Sequence, residues 1–155
     1  MIIERTFDAD AVRSVIGHPD IKPYTYDADG EIPVPMHESI YHLTAKEDFG
    51  YDPGMIETKM IGTVSFLQVN PITWNPHVGV LPQFRGSGTE VLKRACEWMF
   101  VNTQCRKIVA YPPTSNPKMV RVFEKCGFRR EGYSPKSFLW RGEVFDRVLM
   151  GKEKP

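Results

Sequence analysis

The sequence predicts a mixed α/β fold, and three observations support that class. Short runs of apolar and β-branched residues alternate with segments of helical spacing along the 155 residues. The turn signal at Asn70-Pro71 separates two adjacent strand-like runs, which indicates an antiparallel hairpin. The length suits one hydrophobic core, because single cores usually serve chains of about 100–200 residues. We therefore expect one domain over residues 1–155.

The first unit is a strand followed by a helix. Residues 2–7 have the apolar and β-branched character of a short strand. Asp8 or Asp10 is a suitable cap for a helix that runs to about Gly17. Residues 18–36 are rich in Pro, Asp and Gly and have no steady period, which predicts a long, partly irregular surface segment. Loops of this length in compact domains are often functional.

Three strands follow in the middle of the chain. They are predicted at residues 40–44, 61–69 and 72–81, and the last two form the hairpin around Asn70-Pro71. Pro76 interrupts the third strand. Because proline has no N–H to donate to a central ladder, this strand requires Pro76 to lie at a bulge or where the sheet opens.

Two segments of the second half have helical spacing. The first begins after Gly88 and ends near Asn102. The second is opened by Asn116 as the cap with Pro117 at the first helical position, and Gly127 ends it. The predicted buried stripes are Val91, Leu92, Ala95, Cys96 and Met99 in the first helix and Met119, Val122, Phe123 and Cys126 in the second.

The remaining elements of the second half are strands. Residues 107–111 form a short strand between the two helices, and Pro112-Pro113 stops it. Residues 128–140 and 144–150, joined around Arg141-Gly142, read as a terminal hairpin. The predicted order is therefore β-α-β-β-β-α-β-α-β-β, which is typical of a mixed α/β sheet.

Charge and cysteine content exclude several classes of protein. The chain has 20 Lys and Arg against 19 Asp and Glu, without the basic excess of a broad nucleic-acid-binding or membrane-binding face. There is no basic leader followed by a long apolar run, and no stretch approaches the ~18 apolar residues that a membrane span needs. Cys96, Cys105 and Cys126 are odd in number and widely spaced, which predicts reduced thiols rather than disulfides or a zinc site. We expect a soluble cytoplasmic protein without a metal.

The strongest local signal is the glycine-rich turn at residues 83–89, between a strand and a helix. Its two glycines allow a tight turn that exposes successive N–H groups, and the helix dipole adds positive charge there. A phosphate or pyrophosphate fits such a turn. It is not a Walker loop, because no Gly-Lys-Ser/Thr follows, and Val91 stands where the dinucleotide fingerprint has its third glycine. An ordinary glycine-rich turn is the alternative.

Two blocks carry a family resemblance. Residues 78–89, Val-Gly-Val-Leu-Pro-Gln-Phe-Arg-Gly-Ser-Gly-Thr, resemble the acetyl-coenzyme A signature of the GNAT superfamily of N-acetyltransferases. Residues 116–128 resemble the family's Asn-containing helix that ends in Gly-Phe, and residues 130–150 are similar to the closing hairpin of its ribosomal-protein alanine acetyltransferase branch. The resemblance implies the GNAT fold, a mostly antiparallel central sheet flanked by helices.

The resemblance also implies an activity and a cofactor site. An acetyl group would move from acetyl-coenzyme A to a primary amine of a small molecule, peptide or protein by direct attack of the neutral amine. The strand that carries Val78 and Val80 would hold the cofactor with β-type hydrogen bonds. The cofactor-binding residues that it implies are Val78, Val80, Gln83, Arg85, Gly86, Ser87, Gly88, Thr89 and Asn116.

The expected catalytic residues are His77 and Tyr111. An amine with a pKa of about 10 must lose a proton, and the ordinary pKa of histidine, about 6.5, suits His77 as the base. Phe123 occupies the position where many GNAT enzymes carry a proton-donating tyrosine, and it has no proton to give. Tyr111 or Ser115 would substitute for it, unless coenzyme A leaves as the thiolate. A strand-filling role for His77 and a packing role for Tyr111 are the alternatives.

Two other functions compete with acetyl transfer. One is an inactive GNAT-like module that binds coenzyme A or serves interactions, which the lack of an obvious carboxylate base favours. The other is a general nucleotide-phosphate binder that uses the glycine-rich turn. The acceptor amine is not identified by the sequence, although Tyr24 and Tyr26 are candidates for lining its cleft. We expect a monomer or a homodimer.

Overall fold

The computed structural model describes residues 1–25, 27, 29–47 and 58–155. These residues form one seven-stranded sheet with helices on both faces. The elements are β1 (Ile2–Arg5), α1 (Ala9–Ile16), α2 (Lys22–Thr25), β2 (Ile40–Lys46), β3 (Met60–Asn70), β4 (Thr73–Val80), a 3-10 turn (Pro82–Phe84), α3 (Gly88–Asn102), β5 (Lys107–Ala110), α4 (Pro117–Lys125), β6 (Arg129–Trp140) and β7 (Glu143–Glu153).

The strand order is β1-β2-β3-β4-β5-β7-β6. Every neighbouring pair is antiparallel except β4 and β5, which run parallel because the crossover through α3 connects them. The predicted mixed, mostly antiparallel sheet is therefore confirmed. A parallel pair at the centre of such a sheet places the ends of β4 and β5 at the same edge, where the chain enters α3 and α4.

The helices divide between the two faces of the sheet. Val64 of β3 is buried in a core cluster with Val91 of α3, and that cluster also takes in α4. Gly79 follows Val78, the cross-strand partner of Val64, and so it faces the other side. A Cβ at Gly79 would lie 3.2 Å from Cγ1 of Val15, which shows that α1 packs closely against that second face.

The first unit agrees with the sequence. Asp8 is the cap of α1, and its side chain accepts hydrogen bonds from the N–H groups of Asp10 and Ala11. The strand before it ends at Arg5, earlier than predicted. The irregular segment contains one unpredicted turn of helix, α2, whose four residues are too few to produce a recognisable period.

The hairpin of β3 and β4 is confirmed, including the condition placed on its proline. Pro76 pairs with Phe66 of β3 on one side. On the other side the pairing of β4 with β5 has already ended at Trp74, so Pro76 lies where the sheet opens. The missing N–H of the proline therefore leaves no gap in a central ladder.

The second half also follows the predicted pattern. Asn116 caps α4, its Oδ1 accepting from the Met119 N–H at 3.3 Å. Gly127 after α4 has φ +85°. Arg141 and Gly142 both have positive φ, as a two-residue type I′ hairpin turn requires. The stripe of α4 differs in detail: Phe123, Cys126 and Val120 are buried, whereas Met119 and Val122 are half-buried, because the short helix turns its Val120 side to the core.

The three cysteines are free and buried, as the sequence predicts. Burial raises the pKa of Cys105 and of Cys126 to about 11, and it raises the pKa of Cys96 further. These thiols are therefore protonated near neutral pH and poorly nucleophilic. Within the part of the chain that the structure describes, no helix combines the length and the apolar character needed to cross a membrane.

Candidate functional site

The site is the opening between β4 and β5. The two strands pair at only two positions, Thr73 with Lys107 and Trp74 with Ile108. Beyond those pairs the strands separate, while β4 stays paired with β3 up to Val80. One edge of β4 is therefore left without a strand partner over its second half, in the middle of the sheet.

Pro76 explains why the strands separate. In a parallel ladder the next acceptor in register after Trp74 is the carbonyl oxygen of Val109, and its donor would be the N–H of residue 76. Proline has none. The side-chain Nδ2 of Asn75 donates to that Val109 oxygen instead, at 2.8 Å. The Val109 carbonyl oxygen therefore still accepts a hydrogen bond, and the pairing of β4 with β5 ends without leaving this acceptor unpaired.

The backbone of β4 presents hydrogen-bonding groups to the opening. The N–H of Leu81 donates to the carbonyl of Ile61 at 2.9 Å, so odd-numbered residues of β4 exchange hydrogen bonds with β3. Because the pattern alternates in antiparallel pairs, the N–H and C=O groups of Val78 and Val80 point the other way, into the opening. An extended ligand chain that carries amide groups can pair with them as a strand would.

The glycine-rich loop closes one end of this opening. Gly86 has φ +105°, which an L-residue rarely adopts, and α3 begins two residues later. The N–H groups of Gly86, Gly88, Thr89 and Glu90 have no acceptor among the described residues. Several free donors at the positive end of a 15-residue helix make a site for a phosphate or pyrophosphate.

The other cofactor-binding candidates lie around the loop. Gly88 lies next to the end of β4, where a Cβ would be 3.9 Å from Cγ2 of Val80. Ser87 precedes α3 and makes no side-chain cap bond, and Gln83 is exposed in the 3-10 turn. Arg85 is 76% exposed and pairs with Asp20 at 3.5 Å. Its cation is therefore available at the surface of the loop.

His77 lies on the sheet face that α1 covers, beside the opening. Its cross-strand neighbour on β3 is Ser65. His77 is exposed at the surface beside the opening, yet the protein atoms packed around it partly desolvate the imidazole and so lower its pKa from the ordinary value of 6.5. The imidazole is therefore neutral at pH 7, the state in which it can accept a proton.

A second histidine lies close by, and the sequence did not place it. His42 of β2 is only 5% exposed. Its Nδ1 is 2.7 Å from Oγ of Ser65, and its Nε2 is 2.9 Å from the carbonyl oxygen of Pro35. The sequence predicts a strand at residues 40–44, but only the register of β2 against β3 brings His42 opposite Ser65.

Tyr111 lies across the opening from His77. Trp74 and Ile108 form the last pair between β4 and β5. His77 and Tyr111 each lie three positions further along the chain from that pair. The phenol ring is 37% exposed, and the Arg147 guanidinium lies 5.6 Å from its centroid.

Phe123 belongs to the core rather than to the site. Its side chain is 4% exposed and packs edge-on against Phe128, with the ring centroids 4.9 Å apart. Asn116, at the start of the same helix, uses its side-chain oxygen as the α4 cap, which leaves its Nδ2 as a donor. Ser115 beside it is exposed.

The turn between β6 and β7 contacts α2 and Asp27, which follows it. The Arg141 N–H donates to Oδ2 of Asp27 at 2.8 Å, and its guanidinium donates to the Pro23 carbonyl at 3.3 Å. Tyr24 is 76% exposed in this region, and its proposed place in an acceptor cleft stays a prediction, whereas Tyr26 lies outside the described residues.

Residues 3–129 match the family described as the acetyltransferase (GNAT) domain. The chain belongs to the GNAT family. A spermidine N(1)-acetyltransferase of Vibrio cholerae serotype O1 is 28% identical to it over 94 residues, which are 58% of this chain and 54% of that protein. The GNAT chain therefore aligns with about half the length of this curated relative.

Solved structures share the GNAT fold. A spermidine N-acetyltransferase from Vibrio cholerae in complex with CoA and spermine superimposes with a TM-score of 0.76 and 19% identity, covering 99% of this chain and 95% of that one. A spermidine/spermine N-acetyltransferase from Vibrio cholerae in complex with manganese ions gives 0.63 with 21% identity, covering 76% and 66%. The family and the fold that the sequence resemblance implied are thus confirmed.

Proposed function

We propose that residues 1–155 form one acetyltransferase domain that moves an acetyl group from acetyl-coenzyme A to a primary amine. The observation that carries the proposal is the opening between β4 and β5. Backbone groups of Val78 and Val80 face it, and free N–H groups lie at its glycine-rich end. Coenzyme A consists of an arm with amide groups joined to a pyrophosphate. The β4 backbone groups could pair with the arm, and the N–H groups of the glycine-rich loop could bind the pyrophosphate. When bound, acetyl-coenzyme A supplies the activated acetyl thioester.

Each part of the site has a proposed role toward the cofactor. The N–H groups of Gly86, Gly88 and Thr89 would hold the pyrophosphate, helped by the Ser87 hydroxyl and the Arg85 cation. Gln83 at the rim and the free Nδ2 of Asn116 would donate further hydrogen bonds. Because backbone amides supply most of the attraction, a chain with a net charge of +1 can hold a highly anionic ligand.

His77 is the proposed base. Its lowered pKa keeps the imidazole neutral at pH 7, and it lies on the strand that borders the opening, where it would take the proton that the amine must lose. Tyr111 is the proposed acid, because it lies across the opening at the same level and its phenol has a proton to give. Phe123, buried against Phe128, has none.

The acceptor is a primary amine, and spermidine is the first to test. Its choice rests on the name of the curated relative, which this chain matches over 94 residues. An amine of another small molecule or of a peptide is the wider class. We also propose that the protein works in the cytoplasm, where its three free thiols would stay reduced.

Two measurements on the purified protein test the proposal. Acetyl-coenzyme A should raise the melting temperature more than ATP at the same concentration, because only the former has an arm to pair with β4. Acetyl-coenzyme A with spermidine, other polyamines and peptide amines should release thiol above the background without protein. Stabilisation without thiol release for any amine would support the inactive module instead, and equal stabilisation by ATP would support a general phosphate site.

A further inference from the structure

Three polar side chains lie side by side on neighbouring strands of the face that α1 covers. They are His42 on β2, Ser65 on β3 and His77 on β4, and we name them the histidine row. The register pairs His42 with Ser65 and Ser65 with His77. The row ends at the edge of β4 that borders the opening, so its last member is the proposed base.

The hydrogen bonds of His42 fix the direction of the row. The Pro35 carbonyl can only accept, so Nε2 of His42 carries the hydrogen of that 2.9 Å bond. In the neutral imidazole Nδ1 then has a lone pair, and the Ser65 hydroxyl must donate to it across 2.7 Å. The Ser65 hydrogen is thereby committed toward β2, and the lone pairs of its oxygen are left for a donor on the other side.

His77 lies on that other side of Ser65. In the structure no hydrogen bond between described residues joins these two side chains, so the contact requires a rotation of the His77 ring. Side chains opposite each other on adjacent strands have Cβ atoms about 5.5 Å apart, a spacing that a histidine bridges by rotating its ring toward the serine oxygen. Among the described residues no carboxylate lies within salt-bridge distance of either His42 or His77. The orienting group that a catalytic histidine usually finds in a carboxylate is thus not a carboxylate of the described residues, and the Ser65 hydroxyl is the side chain that the register places opposite His77.

We propose that Ser65, held by His42, accepts the N–H of His77 and so fixes the tautomer of its imidazole. The other ring nitrogen of His77 then keeps a free lone pair. The inference rests on the proposed function, in which that nitrogen takes a proton from the acceptor ammonium: one N–H bond of the ammonium breaks and one forms on the imidazole. The neutral amine would then attack the thioester carbon, so that a C–N bond forms, the C–S bond breaks, coenzyme A leaves as the thiolate and the amide nitrogen releases its second proton to the thiolate or to solvent. Ser65 and His42 are positioning residues.

Nitrogen-15 NMR of the histidine rings, at a pH where they are neutral, tests the proposal without any turnover. We expect His77 to be in a single tautomer in the unmodified protein and in Ser65→Thr, which keeps the hydroxyl. Ser65→Ala should give a mixture of tautomers, and so should His42→Phe, which fills the volume but removes the acceptor. Thr63→Val is the matched control, because Thr63 lies two residues away on β3 and its buried hydroxyl has no hydrogen-bond partner among the described residues.

Kinetics of the same variants give the second readout. Ser65→Ala should lower kcat about tenfold while acetyl-coenzyme A binds as before, and Ser65→Thr should recover most of the loss. A single, unchanged His77 tautomer in Ser65→Ala would overturn the proposal, and the same result in His42→Phe would remove the part given to His42. If the unmodified protein acetylates no amine, the proposed function fails. The tautomer measurement would still show whether Ser65 and His42 fix the tautomer of His77 in the histidine row.

Discussion

The glycine-rich loop and the histidine row lie beside the same strand, yet they are built in different ways. The loop offers the free backbone N–H groups of Gly86, Gly88, Thr89 and Glu90. The row offers side chains that belong to three strands and meet only across the sheet. A loop of backbone donors depends on conformation and tolerates most changes of side chain, whereas a row of side chains depends on each chemical group. Single substitutions should therefore affect binding in the loop and turnover in the row.

Removing the imidazole at the end of the row should have the largest effect. His77→Ala should lower kcat about 100- to 1000-fold, because a positioned base contributes a factor of that order. The affinity for acetyl-coenzyme A should stay unchanged, since the backbone of β4 is unaffected. Steady-state kinetics and calorimetric titration measure the two quantities.

His37→Ala provides the control for His77→Ala. His37 is an exposed histidine whose ring, among the described residues, hydrogen-bonds to Ser39 alone, and its removal should leave kcat unchanged. If His77→Ala retained full kcat, the base would have to be another group, and the division of roles between loop and row would fail.

Backbone conformation should dominate in the loop. Gly86 has φ +105° with open space around its Cα, so Gly86→Val is opposed by backbone strain rather than by a clash. A strain of about 2 kcal/mol, relieved by turning the N–H groups away, corresponds to about thirtyfold weaker acetyl-coenzyme A binding. Calorimetric titration measures this change.

Gly30→Val is the matched control for the loop. Gly30 has φ +93° and equally open surroundings, but it lies outside the loop, so its substitution should add strain without weakening acetyl-coenzyme A binding. Equal losses of affinity in the two variants would indicate general destabilisation and contradict the assigned role of Gly86.

The two regions also differ in how far the sequence reveals them. The loop is local: two glycines, a following helix and the strand before it lie within a dozen residues, so residues 83–89 were identified without a structure. For the same reason the sequence predicts Asn116 as the α4 cap and narrows the α1 cap to Asp8 or Asp10, of which the structure shows Asp8. Short-range geometry is set by the residues that take part in it.

The row could not be found in that way. His42 and His77 are 35 positions apart, and their relation depends on the registers of two strand pairs and on the bulge between Ala45 and Lys46. The contact of Arg141 with Asp27 spans 114 positions and is equally hidden. Pro76 is an intermediate case: the sequence required an opening or a bulge, and only the pairing of Trp74 with Ile108 decided between them.

Tyr111→Phe should have a smaller effect than His77→Ala or Gly86→Val. Thiols have a pKa of about 8.5, so the departing thiolate of coenzyme A gains little from an acid near neutral pH, and we expect about a fivefold loss of kcat. Tyr133→Phe removes a phenol that already donates to Asp146, and it should not change kcat. An unchanged kcat in Tyr111→Phe would reduce Tyr111 to a ring packed beneath Arg147.

Arg85 should contribute least to acetyl-coenzyme A binding, because most donors of the glycine-rich loop are backbone N–H groups. It is 76% exposed and shares its charge with Asp20, so its attraction for a phosphate is screened by solvent and salt. Arg85→Gln should raise the Kd for acetyl-coenzyme A about threefold at low salt and less at high salt. Arg106 directly precedes β5, at the end of that strand away from the opening. Arg106→Gln tests for a general effect of charge and should leave the Kd for acetyl-coenzyme A unchanged at every salt concentration. If Arg85→Gln lost more affinity for acetyl-coenzyme A than Gly86→Val, the loop would bind mainly through side-chain charge. The contrast between the loop and the histidine row would then disappear.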